Sequence, residues 1–101
     1  MDYKVVLSDL FLCDLQEIVA YLKEHAGPEI ASRIGNELLD RAFEAGQRPF
    51  LGQPVKQRPG ARKVLRYRYL LYYDVNETRK TVEVLRVWHG ARDPMALRLD
   101  C

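Results

Sequence analysis

Two helical stripes separated by one breaker constrain this chain more than any other feature. Phe11, Leu15, Ile18 and Leu22 recur at i, i+4, i+7 and i+11, with Leu12 and Val19 alongside. Ser8 suits an N-cap and Asp9 suits the first turn, so a helix is predicted from Ser8 to about Glu24. Asp14, Glu17 and Lys23 lie off the stripe and read as its solvated side. His25-Ala26-Gly27-Pro28 ends the helix, and Pro28 opens a second one, expected to reach Ala45. Its stripe is Ile30, Ile34, Leu38 and Ala42, with Leu39 and Phe43 adjoining. So short a connection makes the pair an antiparallel hairpin. One hairpin cannot enclose a core, so it must pack on something else, and the remaining segments say that this is a sheet.

Asp2 to Leu7 reads as a short strand. Gly46 to Ala61, with Pro49, Gly52, Pro54, Pro59 and Gly60, reads as a loop made basic by Lys56 and Arg58. Lys63 to Tyr67 and Tyr69 to Val75 form two strands joined near Arg68, and Asn76 to Arg79 turns into a third, Val82 to His89. Alternation puts Val82, Val84, Arg86 and Trp88 on one face of the last strand, and Glu83, Leu85, Val87 and His89 on the other. Both faces are largely apolar, so the strand is expected inside the sheet, covered on both sides, with the first strand beside it. Met95 to Leu99 allows one further helical turn. The fold class is therefore α+β: an N-terminal strand, then a helical hairpin packed on one antiparallel sheet completed by a three-stranded meander. At 101 residues this is a single domain, 1–101.

Charge is divided along the chain. Residues 1–55 carry five Lys or Arg against nine Asp or Glu, whereas residues 56–92 carry ten against three. A basic sheet suits an anionic partner, nucleic acid or an acidic protein segment; equally, Lys and Arg protect edge strands from aggregation. No run approaches the roughly 18 apolar residues of a membrane span, and the start of the chain has no signal-peptide character, so a cytoplasmic protein without a membrane partner is expected. Cys13 and Cys101 make neither a disulfide framework nor a metal site; Cys13 reads as core filler and Cys101 as an incidental tail residue. No metal and no cofactor are expected, because His25 and His89 lie far apart and no glycine-rich phosphate loop occurs.

The exit of the last strand is where chemistry concentrates. His89 could act as a general acid or base, and Arg86 and Arg92 could hold a phosphate, so the three would suffice for crude RNA cleavage by a 2′-hydroxyl. The plainer alternative has His89 hydrogen-bonded to backbone and the arginines paired with acids such as Glu83 or Asp93. Tyr67, Tyr69, Tyr72 and Tyr73 could stack on bases, although alternation assigns at least half of them to packing.

Leu85-Arg86-Val87-Trp88-His89-Gly90-Ala91-Arg92-Asp93 is the most specific stretch. Together with Leu15-Gln16-Glu17-Ile18, Tyr21-Leu22, Gly27-Pro28-Glu29 and Arg68-Tyr69-Leu70-Leu71-Tyr72-Tyr73, it resembles the RelE/ParE superfamily of toxins from type II toxin–antitoxin systems, and the ParE branch above all. The resemblance covers nearly the whole chain. It implies a toxin neutralised by a cognate antitoxin, ParD-like or another small protein, in a pair of the kind that stabilises plasmids. The ParE branch implies inhibition of DNA gyrase by binding. The RelE branch implies cleavage of mRNA on the ribosome, for which the candidates are His89, Arg86, Arg92 and Arg68, though no Tyr follows Arg92 as that branch's pattern would have it. A degenerate, non-toxic member is the third possibility. The expected target- or antitoxin-binding residues are Arg66, Arg68, Tyr69, Arg86, Trp88, His89 and Arg92.

Overall fold

A computed structural model of the protein describes residues 2–90. The elements are β1 (Lys4–Leu7), α1 (Asp9–His25), α2 (Pro28–Gln47), β2 (Gln53–Pro54), β3 (Ala61–Arg66), β4 (Tyr69–Asn76) and β5 (Thr81–His89). The expected helical hairpin and meander are present. Ser8 caps α1, its Oγ accepting from the Phe11 N–H, and Gly27, at φ 99°, makes the break before Pro28. Arg92, Cys101 and the possible turn from Met95 to Leu99 lie outside the described residues.

The sheet differs from the expected one in two respects. It has five strands in the order β1-β5-β4-β3-β2, because Gln53 and Pro54, within the expected loop, pair antiparallel with Lys63 and Arg62. It is also mixed: β1 runs parallel to β5, Val5 beside Val82 and Leu7 beside Val84. The helical hairpin carries the chain away from β1 and back, so nothing forces β1 to run antiparallel to its neighbour.

A β-bulge corrects the predicted faces of β5. Tyr72 pairs with Arg86 and Tyr73 with Val84, leaving Leu85 as the extra residue. The bulge resets the alternation, so Val87 joins Val82 and Val84 in the core under the helices, with Phe11, Leu15, Leu38, Leu71 and Tyr73. Leu85 and Tyr72 are buried apart from that cluster.

The helix stripes also need correction. Ile30 and Phe43 are 39% and 51% exposed, whereas Ala31, Gly35, Ala42, Ala45 and Gly46 are buried. Small residues let the layers approach closely. A Cβ on Gly35 would lie 2.9 Å from Val19 Cγ2, and one on Gly46 would lie 2.5 Å from Val5 Cγ2 and 2.8 Å from the Tyr3 carbonyl oxygen. Cys13, expected in the core, is exposed on α1.

The segment between α2 and β3 is fastened by polar contacts. The Gly52 N–H donates to Tyr73 Oη at 2.9 Å, Arg62 donates to the Gly52 carbonyl at 2.7 Å, and Arg58 pairs with Asp74 at 2.8 Å. Burial raises the Tyr73 phenol above its ordinary 10.0, against the smaller lowering effects of the Gly52 N–H and Arg62.

Two outcomes follow. Leu38 has no exposed surface, so Leu38→Ala costs about 2–5 kcal/mol in urea unfolding; a loss of only a few tenths would place this helix face in solvent. Because the folded-state phenol of Tyr73 is raised, its contribution to stability is complete below pH 10.0 and is lost as pH climbs through the higher folded value. Chemical denaturation between pH 9 and 12 should show that decline, reduced in Tyr73→Phe.

Candidate functional site

After Leu7 pairs with Val84, β1 ends and the outer edge of β5 has no strand beside it. Helix α1 supplies the missing partners. The Ser8 N–H donates to the Val84 carbonyl at 3.0 Å, and Ser8 Oγ, besides capping α1, donates to the Leu85 carbonyl at 2.8 Å. Further along α1, Asp14 Oδ2 accepts from Arg86 Nε at 2.6 Å and from the Val87 N–H at 3.3 Å, while Oδ1 accepts from Arg86 Nη2 at 2.7 Å. The two side chains are 10% and 14% exposed, and the Arg86 guanidinium lies 5.0 Å from the centre of the Trp88 ring. Such a two-pronged charged pair is strong and directional.

This overturns one sequence expectation, since Asp14 is not on a solvated face, and bears out another in kind: Arg86 pairs with an acid, with Asp14 in place of the Glu83 offered as an example. A signal was available: Asp14 is three residues after Phe11 and four before Ile18, on the buried stripe, where a carboxylate must find a donor.

Beyond this pair the distal half of α1 overhangs the end of the sheet and leaves a groove of about 500 Å³. Asp14, Glu17, Ile18 and Tyr21, at helical spacing, form one wall; Val87, Trp88, His89 and Tyr69 form the other. Tyr69 and His89 are cross-strand partners, their rings edge to face at 5.5 Å. Tyr21 stacks on His25 at 4.2 Å and remains 60% exposed. Burial raises the Tyr69 phenol, nearby Tyr21 adds to the rise, and Arg68 opposes it. Glu17 and Tyr21, which sequence reasoning did not name as site residues, thus join Tyr69, Trp88 and His89 in one place.

The remaining candidates are dispersed. Arg66 pairs with Glu37 of α2 at 3.6 Å and lies over the Tyr67 ring, whose hydroxyl donates to the same Glu37. Arg68 is exposed on the β3–β4 turn, and its carbonyl accepts from the Gly90 N–H at 2.7 Å. Arg92 lies outside the described residues. Of the four tyrosines offered as stacking platforms, Tyr72 and Tyr73 are buried, Tyr69 lines the groove and Tyr67 serves the contact with α2. Arg58, Arg62, Arg66 and Arg86 all have internal partners, so much of the basic segment holds the fold together. Among the described residues no group of His, Cys, Asp and Glu could hold a metal ion, and no helix is long and apolar enough to cross a membrane.

Residues 5–94 match the family model of the ParE toxin of type II toxin–antitoxin systems, parDE. The chain belongs to this family. Among solved structures it is similar to the RelBE2 toxin–antitoxin complex of Mycobacterium tuberculosis, at 25% identity and a TM-score of 0.69, covering 88% of this chain and 99% of that one. It shares its fold with a chain of the chromosomal ParDE system of P. aeruginosa (20% identity, TM-score 0.74, 86% and 95% covered). A mutant of the E. coli toxin RelE in the free state has the same fold (19%, 0.66, 90% and 86%). No curated protein matches the chain. The matched stretch of the ParE family model includes both α1 and β5, the two elements that the Asp14–Arg86 pair joins.

Removing one partner of a buried pair leaves the other charge uncompensated. Asp14→Ala is therefore expected to cost about 3–5 kcal/mol in urea unfolding. Arg86→Met with Asp14→Leu should recover much of that loss, since the double change leaves no buried charge behind.

Proposed function

We propose that this ParE-family toxin acts by binding, inhibits DNA gyrase, and is held inactive by a cognate antitoxin. The observation that carries this reading is the match to the ParE toxin model over residues 5–94. The local chemistry supports it. Arg86, one of the trio His89, Arg86 and Arg92, is bound at two of its three guanidinium nitrogens by the Asp14 carboxylate. A guanidinium neutralised in this way is a poor stabiliser of developing phosphate charge. What the end of β5 offers is a groove with aromatic walls, a surface suited to contact.

The antitoxin partner is supported by the similar structures of RelBE2 and ParDE, which are toxin–antitoxin systems. An antitoxin tail that is acidic and carries apolar anchors would complement the basic side of the sheet, and a wrapping interface would exceed about 1,200 Å² in total. Expression of the toxin alone should arrest growth, and co-expression with its antitoxin should restore it. Unimpaired growth without any antitoxin would favour a degenerate, non-toxic member.

Ribosome-dependent mRNA cleavage is the second reading, favoured by the 25% identity to a chain of the RelBE2 toxin–antitoxin complex. The two separate cleanly. The purified toxin is expected to inhibit gyrase supercoiling with accumulation of cleaved DNA, and to leave mRNA intact in a translating extract. If it is instead a ribonuclease, His89→Gln removes a proton-transfer group and reduces cleavage by about 10²–10⁴-fold. Codon-specific cuts lost in His89→Gln, with gyrase unaffected, would replace the gyrase reading with the ribonuclease one.

A further inference from the structure

The groove beneath α1 has the chemistry of a receptor for a positive charge. Its two carboxylates differ: Asp14 is neutralised by Arg86, whereas Glu17 is exposed and makes no hydrogen bond or ion pair with any described residue. One helical turn along the same wall stands the exposed Tyr21 ring, and across the groove is the Tyr69–His89 ring pair. A carboxylate in a groove whose walls carry aromatic rings attracts an ammonium or guanidinium group by charge-assisted hydrogen bonding and by the ring quadrupoles. Ile18 and Val87 supply an apolar floor beside it. A phosphate would meet Glu17 as a like charge, and Arg86 is already bound.

We propose that this groove docks one Lys or Arg side chain, with an apolar neighbour, presented by the protein target of the toxin. The inference rests on the reading of the chain as a toxin that acts by contact. Charge separation assigns the occupant. Lys56, Lys63, Arg79 and Lys80 lie on β3 or in the loops and turns between strands, so an acidic antitoxin tail is drawn to that side and repelled from Glu17. The basic side chain therefore belongs to the other partner.

Glu17 and Tyr21 are exposed helix positions, so their variants keep the fold, which circular dichroism verifies. In gyrase supercoiling titrations, Glu17→Gln should raise the half-inhibitory concentration about threefold to thirtyfold, the range of one cation–ring and carboxylate contact. Glu17→Lys should abolish inhibition, and Tyr21→Ala should weaken it about tenfold. In calorimetry, the blocked peptide Ala-Leu-Arg-Leu-Ala should bind wild type but not Glu17→Lys, and the same peptide with Glu for Arg should not bind either. Full potency of Glu17→Lys overturns the proposal, as does tighter binding by the acidic peptide or by a single-stranded RNA. A wild type that leaves gyrase untouched yet binds the Arg peptide through Glu17 refutes gyrase as the target while keeping the groove's cation preference. The two failures are therefore distinct.

Discussion

The Asp14 carboxylate holds three donors, two from Arg86 and the Val87 N–H, across an α1–β5 contact separated by 72 and 73 residues in sequence. It does for the second half of β5 what a neighbouring strand does for the first half. β1 is only four residues long, so beyond Val84 the edge of β5 needs other partners; Ser8 and Asp14 provide them from a helix. The bulge at Leu85 falls at this handover, where the edge passes from strand to helix. Fixing the end of β5 against α1 also fixes Trp88 and His89, and so defines the groove. A side-chain carboxylate in this position is stronger than a backbone acceptor but tolerates no loss, because each partner left alone is a buried charge.

The cations of the second half of the chain divide by use. Arg58, Arg62, Arg66 and Arg86 each join the sheet to another part of the fold: to Asp74, to the Gly52 carbonyl, to Glu37 and to Asp14. A net positive segment is therefore not by itself a nucleic-acid surface. Charge bound in place positions the backbone, and only the remainder can steer a partner. In this toxin family member that remainder lies on the sheet side, whereas the helical side bears Glu17 and the aromatic groove.

Helical periodicity and strand alternation were legible because both reflect local geometry. Ser8 as a cap, the Gly27-Pro28 break, the stripes through Leu15 and Leu38, and the meander after residue 60 all follow from residues within a few positions of one another. The family too was legible, in the stretch from Leu85 to Asp93. Ile30 and Phe43 misled, since a stripe says which side of a helix is apolar but not how far the neighbouring layer extends. Buried Ala31, Gly35 and Gly46 gave no apolar signal of their own; their value is the room they leave for Val19 and Val5.

Local pattern alone establishes the order of every element except β2, the hairpin that must find a sheet, and the concentration of polar and aromatic residues at the exit of β5. Only the tertiary structure decided that β1 runs parallel to β5, that Gln53 and Pro54 add a fifth strand, and that Val87 returns to the core. It also decided that Asp14 claims Arg86 while Glu17 stays open beside Tyr21. The reason is physical. Periodicity is written within a turn or two of chain, whereas a bulge, a strand direction and the choice of an ion-pair partner depend on groups that meet only when the two halves of the chain pack together.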